Sequence, residues 1–233
     1  MRFAIYYTPP ADHLLTMTAE RWLQRSAFPG RSVEPFLIVE AFSAEEIAEL
    51  TAEPRRYGFH ATMKAPFRLA GGVSQAELRA ELEALALARK PFAHKMKVSR
   101  IGRFFAIVPD GPSPELSELA DEAVRRFERF RAPLTETEFQ RREPKKLSPS
   151  QLQNLRTWGY PHVFADFRFH MTLTGKVPED EAEKVQTVLE TIFHPLLEEP
   201  LEIGGLALFA QPGADQPFHV EVMHAFAGRE EVA

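Results

Sequence analysis

The sequence has no cysteine in its 233 residues. That excludes disulfides, thiolate metal sites and a cysteine nucleophile together, and it fits a reducing compartment. Long apolar runs are missing too: the longest clean stretch, residues 203–210, is strand-sized and far short of the ~18 residues of a membrane-spanning helix. After Met1-Arg2 only five apolar or aromatic residues precede Thr8-Pro9-Pro10, too few for a signal-peptide core. A soluble, cytoplasmic chain with no membrane partner is expected. Strong basicity is absent as well, because the formal charge is -5, so no whole-molecule field draws the chain onto a long polyanion. Gly175-Lys176 lacks the flanking residues of a phosphate-binding loop, and neither G-x-G-x-x-G nor G-x-S-x-G occurs. Kinase, dinucleotide and serine-hydrolase chemistry therefore find no support in this sequence.

What is present is a globular composition, 44% hydrophobic and 26% charged, cut into short elements by 19 prolines and 12 glycines. Strands are predicted at residues 2–8, 35–39, 94–101, 103–108, 165–174, 201–209 and 217–226. A helix over 12–27 places Leu15, Trp22 and Leu23 on one side. Capping-box pairs Ser43/Glu46 and Ser74/Glu77 open two more helices, ended by Pro54 and Pro91, and Ser113-Pro114 starts another with Leu116, Leu119, Ala123, Phe127 and Phe130 as its buried stripe. The segment 132–164 is polar, basic and proline-containing, with one short helix from Ser148-Pro149, and a last helix runs over 179–197. Residues 56–108 and 165–226 share the order strand, helix, strand, strand. One domain over 1–233, built from two α+β half-repeats, follows.

Each half carries Phe-His-x-Thr followed by an apolar residue at the same place, within YGFHATMK at 57–64 and FRFHMTLT at 167–174. Composition alone would supply Phe-His-x-Thr roughly 0.03 times in this chain, so two hits at matching points are a pattern. In a strand successive side chains alternate faces. Phe59, Ala61 and Met63 then share a core face with Phe169, Met171 and Leu173 as their counterparts. The other faces present Gly58, His60, Thr62 and Lys64 in one strand and Arg168, His170, Thr172 and Thr174 in the other, with His and Thr ~6.6 Å apart along each. Two imidazoles with a reference pKa of ~6.5 can serve as an acid and a base near neutral pH. The Thr hydroxyls can donate to non-bridging phosphate oxygens, and Lys64 or Arg168 can add a full charge.

The paired motifs resemble those of the two-histidine (2H) phosphoesterases, which include cyclic phosphodiesterases and the 2′,5′ RNA ligase proteins. YGFHATMKAPF (57–67) and WGYPHVFADFRFHMTLTG (158–175) are similar, more narrowly, to a branch associated with phosphonate metabolism. The resemblance implies a bilobal, duplicated α+β fold with two antiparallel sheets facing a central cleft and helices outside. It also implies a metal-free, cofactor-free site with His60, Thr62, His170 and Thr172 as the catalytic set, acting as a phosphoric diester hydrolase on a sugar or nucleotide cyclic phosphate. By the same analogy His60 is the acid and His170 the base.

Other residues carry weaker signals. No His-x-His or His-Glu-x-x-His occurs, and Asp166 is the one carboxylate beside the motifs, so no metal is expected. His13, His94, His162, His194, His219 and His224 share no spacing, although the last two lie on a terminal strand that could line the cleft. Residues 139–168 hold Arg141, Arg142, Lys145, Lys146, Arg156 and Arg168 against Glu143 and Asp166, either a solvated loop or a phosphate-collecting lid. Tyr160 and Trp158 could stack on a base or sugar or simply anchor the loop, and Arg55 and Arg56 allow the same two interpretations. A small phosphate ester is the favoured partner over long RNA, with an RNA or nucleotide end as a second candidate; a binding module that does not turn its ligand over is the alternative. Oligomeric state is not legible.

Overall fold

The computed structural model describes residues 1–34 and 41–227. Its strands are β1 (Arg2–Tyr7), β2 (Ala61–Phe67), β3 (Phe92–His94), β4 (Met96–Ile101), β5 (Phe104–Pro109), β6 (Met171–Thr172), β7 (Leu201–Ile203), β8 (Gly205–Gln211) and β9 (His219–Ala225). The helices are α1 (Leu14–Leu23), α2 (Ala44–Leu50), α3 (Ala52–Arg55), α4 (Gln75–Leu87), α5 (Pro114–Arg126), α6 (Glu136–Gln140), α7 (Pro149–Trp158) and α8 (Ala182–Phe193). The strand expected at 35–39 lies outside the described residues.

The α+β class is as expected, and both halves run strand, helix and then three strands, one strand more than the predicted order. The division into two sheets is not. Seven strands form one antiparallel sheet in the order β4-β5-β6-β2-β1-β8-β9, and β3 pairs with β7 in a separate ribbon. The halves interleave instead of standing apart, because β5 of the first half pairs with β6 of the second, and β1 inserts between β2 and β8. The waist is narrow: β2 meets β6 only through Ala61↔Met171. Helices cross over as well, with α4 packed on β8 and β9 and α8 on β4.

Local chemistry explains the element ends. Ser43, Ser74, Thr135 and Ser148 each close a capping box with the Glu or Gln three residues on, which satisfies otherwise orphaned N-terminal amides. Pro54 does not terminate a helix. It sits inside α3, near that helix's N-terminus, where its missing N–H costs little. Helix α1 stops at Gln24, which adopts a left-handed conformation.

The sheet has two unequal faces. Phe3, Ile5 and Tyr7 of β1, with Ala61 and Met63 of β2, join the helices in the main core, where Trp22, Phe105 and Phe127 are fully buried. Burying side chains of this size contributes on the order of 2–3 kcal/mol each before entropy is subtracted. On the opposite face Ala4, Tyr6, Ala207, Phe209 and Phe218 form a smaller cluster. The histidine strands present their polar side to that second face.

Candidate functional site

The chain enters β2 from the end of α3, where the amides of Tyr57 and Gly58 both donate to Pro54 O, at 3.0 and 3.1 Å. Gly58 makes the turn with φ +80°, and a Cβ there would stand 2.5 Å from the Ala27 Cβ, so glycine is required twice over. Its carbonyl then accepts a hydrogen bond from His60 Nδ1 at 2.9 Å. The second strand repeats the device, with His170 Nδ1 donating to Arg168 O at 2.8 Å. A ring nitrogen that faces a carbonyl must carry the proton, so in the neutral ring Nε2 is the free acceptor in both cases. Each histidine is thus fixed in tautomer and orientation by the carbonyl two residues before it.

The pair Ala61↔Met171 sets which side chains meet. It puts His60 across from Thr172 and Thr62 across from His170, and makes the histidines diagonal neighbours, roughly 7–8 Å apart at the backbone. His60, Thr62, His170 and Thr172 together line a cavity of about 170 Å³, closed by Tyr6, Tyr57, Tyr160, Arg2 and Arg142. Thr62 Oγ1 lies 3.3 Å from His60 Nε2. A second cavity of about 430 Å³ adjoins the first at Tyr57, His60 and Thr172 and is walled by Glu53, Arg56, Phe104 and Thr174.

The two imidazoles sit in different surroundings. His60 stacks on the buried Tyr6 ring, centroids 3.8 Å apart, with Phe209 at 6.1 Å. Burial lowers its pKa to about 4, against the opposing pull of the Gly58 carbonyl, and His170 adds a smaller lowering. The His170 ring meets Phe104 at 5.7 Å, tilted rather than stacked. Burial lowers its pKa too, opposed by the Arg168 carbonyl. Desolvation also raises the Tyr6 and Tyr160 hydroxyls, so both stay neutral donors near pH 7.

The other expected site residues separate. Tyr160 lines the cavity with Arg142 over its ring at 4.9 Å. Arg56 lines the second cavity, and Thr174 does so while its hydroxyl accepts from Phe105 N at 2.9 Å. Lys64 turns away. The β1–β2 register slips between Tyr6↔Thr62 and Ile5↔Lys64, so a bulge at Met63 reverses the alternation and sends Lys64 into the core. There its Nζ donates to Val124 O at 2.9 Å and to Glu128 at 2.5 Å. Arg168 is exposed and contributes its carbonyl. Trp158 packs edge-on against Phe164, and Arg55 binds Leu23 O and Thr51, so both anchor local structure.

Asp166 is held by Ser150 and Asn154, and among the described residues no group of three His, Cys, Asp or Glu could hold a metal ion. His219 faces Glu221 at 3.5 Å, and neither it nor His224 lines the cavity. Segment 132–164 does reach the site, through Arg142 and Tyr160. Tyr6, Tyr57, Arg2, Glu53 and Phe104 were not among the expected residues. Tyr6 enters through the β1 register opposite Thr62, a long-range pairing that no local spacing announces. Among the described residues no helix is long and apolar enough to cross a membrane.

Comparison with known proteins adds three findings. The family described as "Protein of unknown function (DUF1045)" matches residues 62–219. Two proteins named ribose 1,5-bisphosphate phosphokinase PhnN are similar to the chain. The one from Janthinobacterium sp. (strain Marseille) is 34% identical over all of this chain and 52% of its own length, and that from Laribacter hongkongensis (strain HLHK9) is 32% identical over 94% of this chain and 50% of its own. The chain therefore spans about half the length of these relatives. A crystal structure titled for TT0787 of Thermus thermophilus aligns over 99% of this chain and 100% of that one, with TM-score 0.48 and 14% identity.

Proposed function

We propose that this chain, which belongs to the DUF1045 family of proteins of unknown function, hydrolyses a cyclic phosphodiester on a ribose, with His60 and His170 as the proton-transfer pair. One observation carries this: both Nδ1 protons are committed to backbone carbonyls, which leaves both Nε2 atoms as acceptors, and both rings line one small cavity with Thr62 and Thr172. Ring opening needs a proton taken from water and one given to the departing oxygen. The water oxygen bonds to phosphorus, one ring P–O bond breaks, and the two imidazoles exchange charge. Thr62 and Thr172 donate to the non-bridging oxygens, with Tyr160 and Arg142 beside them. The duplicated 2H arrangement agrees with the direct pairing of β2 with β6 and of β3 with β7, each joining matching points of the half-repeats.

Burial supports a division of roles opposite to that of the 2H analogy. His60, with its pKa lowered to about 4, is neutral near pH 7 and suits the base. His170, without a stacked ring, is the one whose protonated form a bound phosphate anion would stabilise, and suits the acid. We assign the phosphokinase activity in the relatives' name to the half of those proteins that this chain does not match. The chain has no phosphate-binding loop sequence of its own, and the ribose of that name supports a ribose ester as substrate.

The test is a screen of purified protein against ribose and nucleoside cyclic phosphates with chelator present, beside a His60→Ala, His170→Ala variant. Turnover that survives chelator and is lost in the variant is expected. Turnover restored only by a divalent ion, or equal in the variant, would sink the proposal.

A further inference from the structure

We propose that an arginine-lined cavity beside the histidine pair is a second anion subsite, taking a terminal phosphate monoester on the same molecule whose cyclic ester lies between His60 and His170. The proposal rests on the hydrolytic reading above. The cavity is about 490 Å³ and shares Arg2, Tyr57, Pro66 and Arg142 with the histidine cavity, so the two adjoin. Arg56 and Arg141 extend its cationic wall.

The charge on that wall is uncompensated. Its carboxylate, Glu138, is taken by Arg68 through two hydrogen bonds of 3.0 Å. Among the described residues none of Arg2, Arg56, Arg141 and Arg142 forms an ion pair with a carboxylate. Three of them are oriented by neutral partners instead: Arg2 by Gln211 at 2.7 Å, Arg56 by Ala214 O at 3.2 Å and Arg142 by the Tyr160 ring. Four guanidinium groups converging on one concavity repel one another unless an anion joins them, and the rest of the chain is acidic enough to have supplied partners. A monoester dianion offers three oxygens to such forks, whereas an internal diester brings one charge and two free oxygens. The geometry therefore selects a small molecule with a terminal phosphate over the backbone of a polymer.

Calorimetric titration separates this from the catalytic reading, because it needs no turnover. Ribose 5-phosphate should bind the wild type and ribose should not. Arg141→Ala and Arg142→Ala should each weaken binding about 10-fold, the usual weight of a charge-assisted bond. The His60→Ala, His170→Ala variant should bind as wild type does. Arg141 is exposed, so its replacement leaves the fold intact, and Arg141→Lys should recover part of the affinity. Equal affinity for ribose and ribose 5-phosphate, indifference to both arginine changes, or loss of binding in the histidine variant would overturn the subsite. Tighter binding of a single-stranded oligoribonucleotide without terminal phosphates would overturn it in favour of a polymer groove. Absence of hydrolysis with ribose 5-phosphate binding intact would remove the catalytic reading alone.

Discussion

The His60 and His170 strands share Phe-His-x-Thr followed by an apolar residue and differ in what surrounds it. β2 is seven residues long and lies between β1 and β6, so its histidine is pressed onto Tyr6. β6 is two residues long, its ladder ending where Leu173 and Thr174 both donate to Phe105 O, and its histidine meets Phe104 at a tilt. One motif therefore sits in two aromatic environments, and burial lowers the pKa of both rings, that of His60 to about 4. A repeated sequence fixes tautomer and direction through the i−2 carbonyl, while unrepeated neighbours set how each ring is packed.

The largest effect should come from breaking the pair. Either His→Ala change should lower the rate by on the order of 10² to 10⁴, the contribution of one placed proton-transfer group. The comparison sharpens with a substrate whose leaving group needs no proton, such as a nitrophenolate ester. It should restore His170→Ala and leave His60→Ala impaired. Rescue of His60→Ala alone would return the roles to those of the 2H analogy.

Next in size is the position two residues before each histidine. Gly58→Ala forces a Cβ onto Ala27 at a positive φ, so the carbonyl that orients His60 must move. A stability loss above about 1 kcal/mol, with a fall in rate of roughly tenfold or more, is expected. Arg168→Ala keeps its carbonyl and should leave the His170 tautomer unchanged. A rate that fell equally in both variants would show that the Arg168 side chain itself touches substrate.

Much of the site was legible in the sequence because strand alternation is local: Phe59, Ala61 and Met63 are buried, as are Phe169, Met171 and Leu173, with both histidines opposite. Lys64 broke the pattern because a bulge is a property of two strands in register, and only one of them is visible in 57–64. The sheet's order was illegible for the same reason, since β1 and β5 choose partners far away in sequence. Helix α6 was missed although Thr135 and Glu138 spell the same capping box read correctly at Ser43 and Ser74.

The stacked histidine should also leave a mark on stability. His60 takes a proton at about 4 in the folded chain and near 6.5 when unfolded. Between those values the unfolded state binds more protons, so stability present above pH 6.5 is lost as pH falls toward 4, by on the order of a few kcal/mol. Urea midpoints across this window should fall more steeply for wild type than for His60→Gln. Parallel slopes would mean that Tyr6 does not desolvate the ring as the stack implies.

The smallest effect belongs to the fourth residue after each histidine, where both strands leave the site. Lys64 is buried in the main core with its pKa lowered to about 8, first by desolvation and against the pull of Glu128. A lysine whose pKa falls on folding burdens the folded state below pH 8, and that cost is relieved as pH rises from about 8 toward 10.5, where the unfolded chain still binds the proton. Lys64→Met removes the cost along with the bonds to Val124 O and Glu128, and Glu128 keeps Arg131 at 2.6 Å. These terms oppose, so the variant should stay within about 1 kcal/mol of wild type at pH 7. Wild type should then gain on the variant as pH is raised through 8 to 10.5. The rate should hold within about twofold, because Lys64 lies across the sheet from the cavity. A tenfold loss of turnover in Lys64→Met, with its fold confirmed by unchanged circular dichroism, would put this ammonium back beside the phosphate and remove the bulge as the reason for its absence.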